Sequence, residues 1–597
     1  MKSCWRVKGV NNYTILLCFL FSSVVAKVQG QSSAPPLERI ITISFQNERI
    51  DEALKKISQE AAVTFSYSAS TFDTQQRISH SFTSKSIREI LEYVFEGSVQ
   101  FKQRSNYIIL TKSEKTDGVV VSGYVVDEAT GKKLKEVSVY DPISLKSTVT
   151  DEFGFFELEV KKPSEEDLQL VINRSMYADT MVTVSSKRSS FQKIGLNIDE
   201  EKWRAVSDSL DSKLDRLWSW TKRSVQQSNL KNIRDTLHRT WQVSFVPFVG
   251  SNHRLSGNVI NDYSLNILGG YSGGTNKVEL GGLFNINRGS VRYAQAAGLF
   301  NLNGGKTEGV QFAGLFNTNL DSTRAIQFAG LANFNERASE GAQFAGLSNL
   351  TLGNYRGPQF AGLFNFASST IQGTQAAGLF NVTPKKITGA QVAGLFNVSK
   401  EITGSQIAGL LNVAQTVHGT QVSLLNVVDS IRGVPVGLLS FVKTGYHKVE
   451  LSTDEVLPLN IALRTGVRQF YNIVSVGVRP ESEDTVTWSF GYGLGAAPKL
   501  AKWLFLNVDV TSNQLVKGNV EALNLINKFY LGFDFQLTKK LSLTAGGTLN
   551  LRIYEVGFEN HAEVFTNYKP NIINEGIFSN DTNYQLWWGA KVGIRFF

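Results

Sequence analysis

Histidines, carboxylates and glycine runs are where chemistry would have to reside in this chain. The six histidines, His80, His238, His253, His418, His447 and His561, are scattered, with no spacing that sets two of them on one metal. No Gly-Lys-Ser/Thr phosphate loop and no nucleophile elbow occurs. The run Gly269-Gly270-Tyr271-Ser272-Gly273-Gly274 reads as a strand end and a turn. Asp454-Glu455 falls in an expected loop and reads as a solvated pair. Asp127 and Asp151 sit in turns that follow strands. A calcium site is one use of them, but an aspartate bonding the backbone of its own turn is the commoner one. The residues therefore predict no enzyme: no catalytic residue, no cofactor and no metal site.

Both cysteines, Cys4 and Cys18, lie in an N-terminal stretch that reads as an export signal over residues 1–30. Lys2, Arg6 and Lys8 precede the apolar run Ile15-Leu16-Leu17-Cys18-Phe19-Leu20-Phe21, and small residues follow at Ala26 and Gly30. Removal of the signal leaves no thiol, no disulfide and no cysteine metal site. The net charge of +9 includes Lys2, Arg6, Lys8 and Lys27, so the remainder is mildly basic, and an exported chain is not expected to meet nucleic acid. No later stretch is long and apolar enough for a spanning helix.

The elements that dominate the chain are repeats over residues 276–443. The phrase Val-Gln-Phe-Ala-Gly-Leu-Phe-Asn at Val310 to Asn317 recurs, with its glycine at Gly282, Gly298, Gly314, Gly330, Gly346, Gly362, Gly378 and Gly394, 16 residues apart each time, and then at Gly409. Read as one extended strand, Gln311, Ala313, Leu315 and Asn317 make a constant face, and Phe312, Gly314, Phe316 and Thr318 a face that varies but stays apolar. A loosely apolar face suits lipid, and a constant one suits a packed or hydrogen-bonded interior. The flanks read as membrane strands too. Leu504, Leu506, Val508 and Val510 oppose Asn507 and Asp509, and Leu531, Phe533, Phe535 and Leu537 oppose Gly532, Asp534 and Gln536. In the last segment Leu586, Trp588, Ala590, Val592, Ile594 and Phe596 oppose Gly589, Lys591, Gly593 and Arg595. That strand, ending in an aromatic residue, resembles the closing strand of bacterial outer-membrane barrels. The whole of 241–597 is accordingly expected to be one large, mainly antiparallel β-barrel that includes the repeats. The competing reading is a β-solenoid with one repeat per coil and its asparagines stacked in a ladder, which explains why successive repeats do not alternate. The repeat units are also similar to the Gly-x-Gln-x-Ala-Gly-Leu-x-Asn units of several repeat-containing bacterial surface proteins.

Two small modules precede the repeats. Over residues 40–112, Ile41 to Phe45 alternates as a strand, Ile50, Ala53, Leu54 and Ile57 make a helical stripe, and Val63 to Tyr67 is strand-like. Ile87, Ile90, Leu91 and Val94 repeat the stripe before the strand Tyr107 to Leu110. With Ile-Asp-Glu-Ala-Leu at Ile50 to Leu54 and Ile-Arg-Glu-Ile-Leu at Ile87 to Leu91, this α/β unit resembles the short N-terminal domain of secretins and TonB-dependent signalling receptors. That resemblance implies a periplasmic, non-catalytic domain that binds a partner protein, often an anti-sigma regulator. Residues 118–187 read as all-β, with turns at Val126-Asp127-Glu128-Ala129-Thr130-Gly131 and Thr150-Asp151-Glu152-Phe153-Gly154. They resemble the carboxypeptidase-regulatory-like β-sandwich placed ahead of outer-membrane barrels. Residues 198–240 read as a helical linker, with Trp203, Val206, Leu210, Leu214, Leu217 and Trp218 on one stripe. No plug domain of the TonB-dependent transporter kind is visible, which removes the main warrant for energy-coupled import.

Together these observations predict a multidomain outer-membrane protein. Its expected partners are outer-membrane lipid and a periplasmic or anti-sigma regulator bound through residues 40–112, with signalling or small-solute passage as its work. A surface structural or adhesive repeat protein built on a solenoid is the alternative.

Overall fold

The computed structural model describes residues 34–113, 118–161, 167–185, 190–200, 224–480, 486–517, 523–557 and 570–597. The expected signal with Cys4 and Cys18, the stripe from Trp203 to Trp218, and His561 lie outside them. The chain divides into two compact units, one up to Val206 and one from Ser207 onward.

In the first unit the helices form where the apolar spacing places them. Helix Ile50–Ala61 buries Ile50, Ala53, Leu54, Ile57 and Ala61, one stripe at helical spacing. Helix Ile87–Phe95 begins in a capping box, with Glu89 N–H donating to Ser86 Oγ at 3.2 Å and Ser86 N–H donating to Glu89 Oε2 at 3.1 Å. Both helices stop at a left-handed residue, Ala62 and Glu96. They pack with the antiparallel pair Ile40–Arg49 and Arg77–Ser86 and with a three-stranded sheet closed by Tyr107–Lys112. From Gly118 the chain is β, in a three-stranded and a four-stranded sheet around Val121, Val137, Val139, Phe156, Leu170 and Ile172. The strand Ser190–Leu196 lies parallel to Gly118–Asp127. Glu38, 6% exposed, joins the two modules: it meets Arg88 at 3.0 Å, accepts from Tyr124 OH at 2.7 Å and lies 3.4 Å from Lys133.

The second unit corrects the expectation of one large barrel over 241–597. Residues 237–442 form a β-solenoid, and only the residues from Tyr446 onward form a barrel. Successive repeats pair in parallel and in register, Gln311 with Gln327 and Asn317 with Asn333, so every coil runs in the same direction. The phrase is also not one extended strand. Strand Thr307–Ala313 ends, the chain turns a corner at Gly314-Leu315, and a second strand, Phe316–Asn319, leaves it. Gln311, Ala313 and Asn317 do point inward, but the corner turns the leucine of the expected constant face outward, as Leu347, Leu363 and Leu395 show at 41%, 39% and 44% exposure. A further break falls between Thr388 and Gln391, at Gly389, whose φ is +141°.

The solenoid interior is polar, and its pairing explains the constancy of the phrase. Each asparagine amide donates to the asparagine of the next coil, Asn317 to Asn333 at 3.0 Å and Asn333 to Asn349 at 2.9 Å. Each also donates to a backbone carbonyl, as Asn333 does to Phe344 at 2.9 Å. Glutamines form a second ladder in the opposite sense, Gln327 to Gln311 at 2.8 Å. These bonds satisfy buried amides in a stack that only identical residues at identical positions can build. The corner must be glycine because coils approach closely there: a Cβ on Gly330 would lie 2.0 Å from the carbonyl oxygen of Gly314.

Candidate functional site: a charged barrel interior

Eight strands close the barrel: Tyr446–Asp454, Leu459–Val467, Phe470–Pro480, Val486–Ala496, Leu504–Lys517, Asn524–Gln536, Leu541–Glu555 and Thr582–Phe596. Each is antiparallel to its neighbours, and the first pairs with the last through Val449 to Phe596 and Asp454 to Lys591. A further strand, Ile572–Ser579, extends the last hairpin.

Period-2 alternation along these strands sorts side chains by charge. On strand Leu541–Glu555, Ser542, Thr544, Thr548, Asn550 and Arg552 are buried inside, while Leu541, Leu543, Ala545, Leu549, Leu551 and Ile553 face out. The alternation read from Leu504 to Val510, Leu531 to Leu537 and Leu586 to Phe596 is present, with Asn507, Asp509, Asp534, Lys591 and Arg595 inward. A water-soluble barrel buries its apolar side. This one does the reverse, and Ile461, Leu463, Val476, Phe490, Val510, Leu531, Phe533 and Val592 are 45–57% exposed.

The interior is a network of paired charges. Glu450 stands at its centre, 1% exposed, with Arg464 Nη2 at 2.9 Å, Lys591 Nζ at 3.1 Å and Arg595 Nε at 2.6 Å. Arg464 extends to Asp509 at 2.8 Å, and Tyr471 OH donates to the other oxygen of that carboxylate at 2.7 Å. Arg595 extends to Asp534 at 3.1 Å and donates to Asn507 Oδ1 at 2.7 Å. Five strands thereby contribute acids and bases to a cross-braced plug. At the other end, Asp454 and Glu455 correct the expectation of a solvated pair. Asp454 pairs with Lys528, and Glu455 accepts from Trp587 Nε1 at 3.0 Å and Asn550 Nδ2 at 2.8 Å. The alternation marks Lys591 and Arg595 as inward, but their partner Glu450 escapes it because a contact across 145 residues has no local signal.

The remaining candidates are dispersed. Asp127 accepts from Thr130 N–H and Oγ at 2.8 Å each and from Tyr177 OH at 3.0 Å, and Asp151 accepts from the Phe153 and Phe155 N–H groups at 2.9 Å each. Both cap their own turns. His80 packs against Tyr93 with tilted rings 4.4 Å apart at their centroids, and His447 touches the Val442 carbonyl. Gly269 opens a short solenoid strand, Gly269–Ser272, and the chain bends at Gly273 before the next strand begins at Gly274, so the run marks a strand end and a turn. Glu279, buried in the solenoid, was not singled out by its sequence position. It takes the place of the ladder glutamine and accepts from Asn266 at 3.2 Å, Asn287 at 2.5 Å and Gln295 at 2.8 Å. Burial pushes its carboxyl above the ordinary carboxylate range, and these three amides pull it back only in part. No protein-family model matches the chain, and no curated protein matches it.

Proposed function

We propose that the chain is an outer-membrane protein whose eight-stranded barrel is an anchor, with the solenoid on its periplasmic side and the N-terminal domains in the periplasm. The inverted barrel carries this reading: a wall with apolar side chains outward encloses paired charges. Along Leu541 to Ile553 the outward residues cover ~40 Å of strand, and a tilt of ~40–45° leaves a band of ~28–30 Å, the height of a hydrocarbon core. Trp503 and Phe597 stand exposed at one end of the wall and Trp488 toward the other, where interfacial aromatics belong. The barrel's entry at Tyr446, its two-residue turn at Arg468-Gln469 and its last residue share one end. Short turns favour the periplasmic side for that end.

An anchor fits better than a pore. The salt-bridged arginines cross the lumen, and an eight-stranded barrel is only wide enough for side chains to fill. Residues 40–112 remain the proposed periplasmic partner-binding module, an anti-sigma regulator being the partner class that their resemblance implies. Fractionation of cells making the full chain tests the anchor. The protein is expected in the outer-membrane fraction, migrating differently on gels before and after boiling. A soluble protein with no heat-modified migration overturns the reading.

A further inference from the structure

The solenoid has two unlike edges. Along the Ala-Gly-Leu-Phe corner the outward side chains are apolar in coil after coil, with Leu379, Leu395, Leu410, Leu424 and Leu438 at 38–50% exposure and rings such as Phe328 and Phe344 stacked at 4.9 Å. Glu279 is the one charged residue within these phrases, and it points inward. The charged residues, such as Arg324, Glu340, Arg356, Lys386 and Glu401, lie on the opposite edge. From Gly282 to Gly437 there are ten coil steps, ~48 Å at the inter-strand spacing of ~4.8 Å. An uncharged strip of that length is too large for a surface left in water.

Its seating on the barrel shows which way the strip faces. Thr465, Asn472 and Tyr492 are polar side chains on the outward face of the barrel wall, and the last coil covers these three. Thr465 Oγ donates to the Ser440 carbonyl at 2.8 Å, while Asn472 Nδ2 and Tyr492 OH donate to the Gly437 carbonyl at 2.6 and 3.2 Å. Strand Leu439–Val442 lies against the strands Leu459–Val467 and Phe470–Pro480. Gly437 is the corner of the apolar edge. It meets the wall at Tyr492, on the rung of Val474 and Leu463, whereas the coil leaves for Tyr446 at the short-turn end. The corner therefore points up the wall, toward the apolar band.

We propose that the solenoid lies along the membrane with its Ala-Gly-Leu-Phe edge sunk in the lipid leaflet beside the barrel's short-turn end. This rests on the anchor reading above. The strip is then a continuation of the barrel's lipid-facing wall, and the charged edge faces the aqueous phase. Ladders of buried amides inside and apolar side chains outside are what a leaflet requires of a β-structure.

Single-cysteine variants of the full chain with Cys4→Ser and Cys18→Ser test it. Leu363→Cys and Leu395→Cys report the corner, Arg324→Cys and Lys386→Cys the opposite edge, and Phe533→Cys the barrel wall. Each is labelled with a fluorophore in phosphatidylethanolamine–phosphatidylglycerol vesicles, after heat-modified migration has shown that it is folded. Quenching by nitroxide-bearing lipid is then compared with quenching by iodide. The corner labels are expected to match the Phe533 label, with lipid quenching about threefold above iodide quenching, and the opposite-edge labels to show the reverse. Iodide-accessible corners beside a lipid-quenched Phe533 label overturn the inference and leave the anchor standing. Loss of lipid quenching at Phe533 as well removes both. Corners shielded from both quenchers in a protein that sediments as a dimer overturn it in favour of a second copy on the strip.

Discussion

Replacing Glu450 by glutamine tests whether the charged interior holds the barrel together. Glu450 neutralises three cations in a site it shares with no solvent, and removing one partner of a buried ion pair costs ~3–5 kcal/mol. The three cations are not equally exposed to that loss. Arg464 keeps Asp509 at 2.8 Å and Arg595 keeps Asp534 at 3.1 Å, whereas Glu450 is the one carboxylate paired with Lys591 among the described residues. The orphan is one ammonium, and the glutamine carbonyl still accepts one hydrogen bond, so the lower end, ~3 kcal/mol, is expected for Glu450→Gln. Lys591→Met leaves Glu450 two guanidiniums and is expected to cost ~1 kcal/mol or less. The double variant is then less destabilised than the sum of the two by ~1–2 kcal/mol, because the orphaned ammonium is gone. Urea unfolding of the refolded protein in lipid, followed by tryptophan fluorescence and heat-modified migration, measures all three. Buried Trp587 sits inside the same barrel and reports on it. A Glu450→Gln variant within ~0.5 kcal/mol of the parent, or strictly additive single changes, would refute the argument.

The N-terminal unit carries a pH signature. Burial pushes Glu92 from its ordinary 4.5 up to about 7, with Arg88 opposing the shift and Glu157 adding to it. The folded unit thus keeps a proton that the unfolded chain releases, so stability falls as pH climbs from about 4.5 to about 7 and levels above that. Thermal midpoints across that window are expected to fall in the parent and to flatten in Glu92→Gln; an unchanged slope in the variant would assign the effect elsewhere. In the solenoid, Gly330→Ala sets a methyl group against the fixed carbonyl of Gly314 and is expected to cost ~1–3 kcal/mol. Protease cleavage should rise between coils while the barrel's heat-modified migration stays unchanged, and a variant as resistant as the parent would show that the coils can part there without loss.

Much of this architecture is legible in a line of residues, and the limits of legibility are physical. The helical stripes from Ile50 and Ile87, the turn roles of Asp127 and Asp151, the 16-residue period and the inward placement of Asp509, Asp534, Lys591 and Arg595 all follow from local rules. Side-chain alternation belongs to a single strand, so a single strand reveals it. Strand direction does not belong to a single strand. A Gln-Phe-Ala-Gly-Leu-Phe-Asn phrase has the same two faces in an antiparallel wall as in a parallel coil, and the glycine corners near Gly314 and Gly389 decide between them. Those corners made the repeats a solenoid and left the barrel only the residues after Tyr446. Long-range electrostatics was likewise invisible. Glu38, Glu279, Glu450 and the pair Asp454-Glu455 look like solvated acids until the fold closes around them, because a charge is buried by what other segments bring to it. The chain's local chemistry dictated which face of each strand would be polar; closure of the barrel and stacking of the coils decided that the polar face would be the inside.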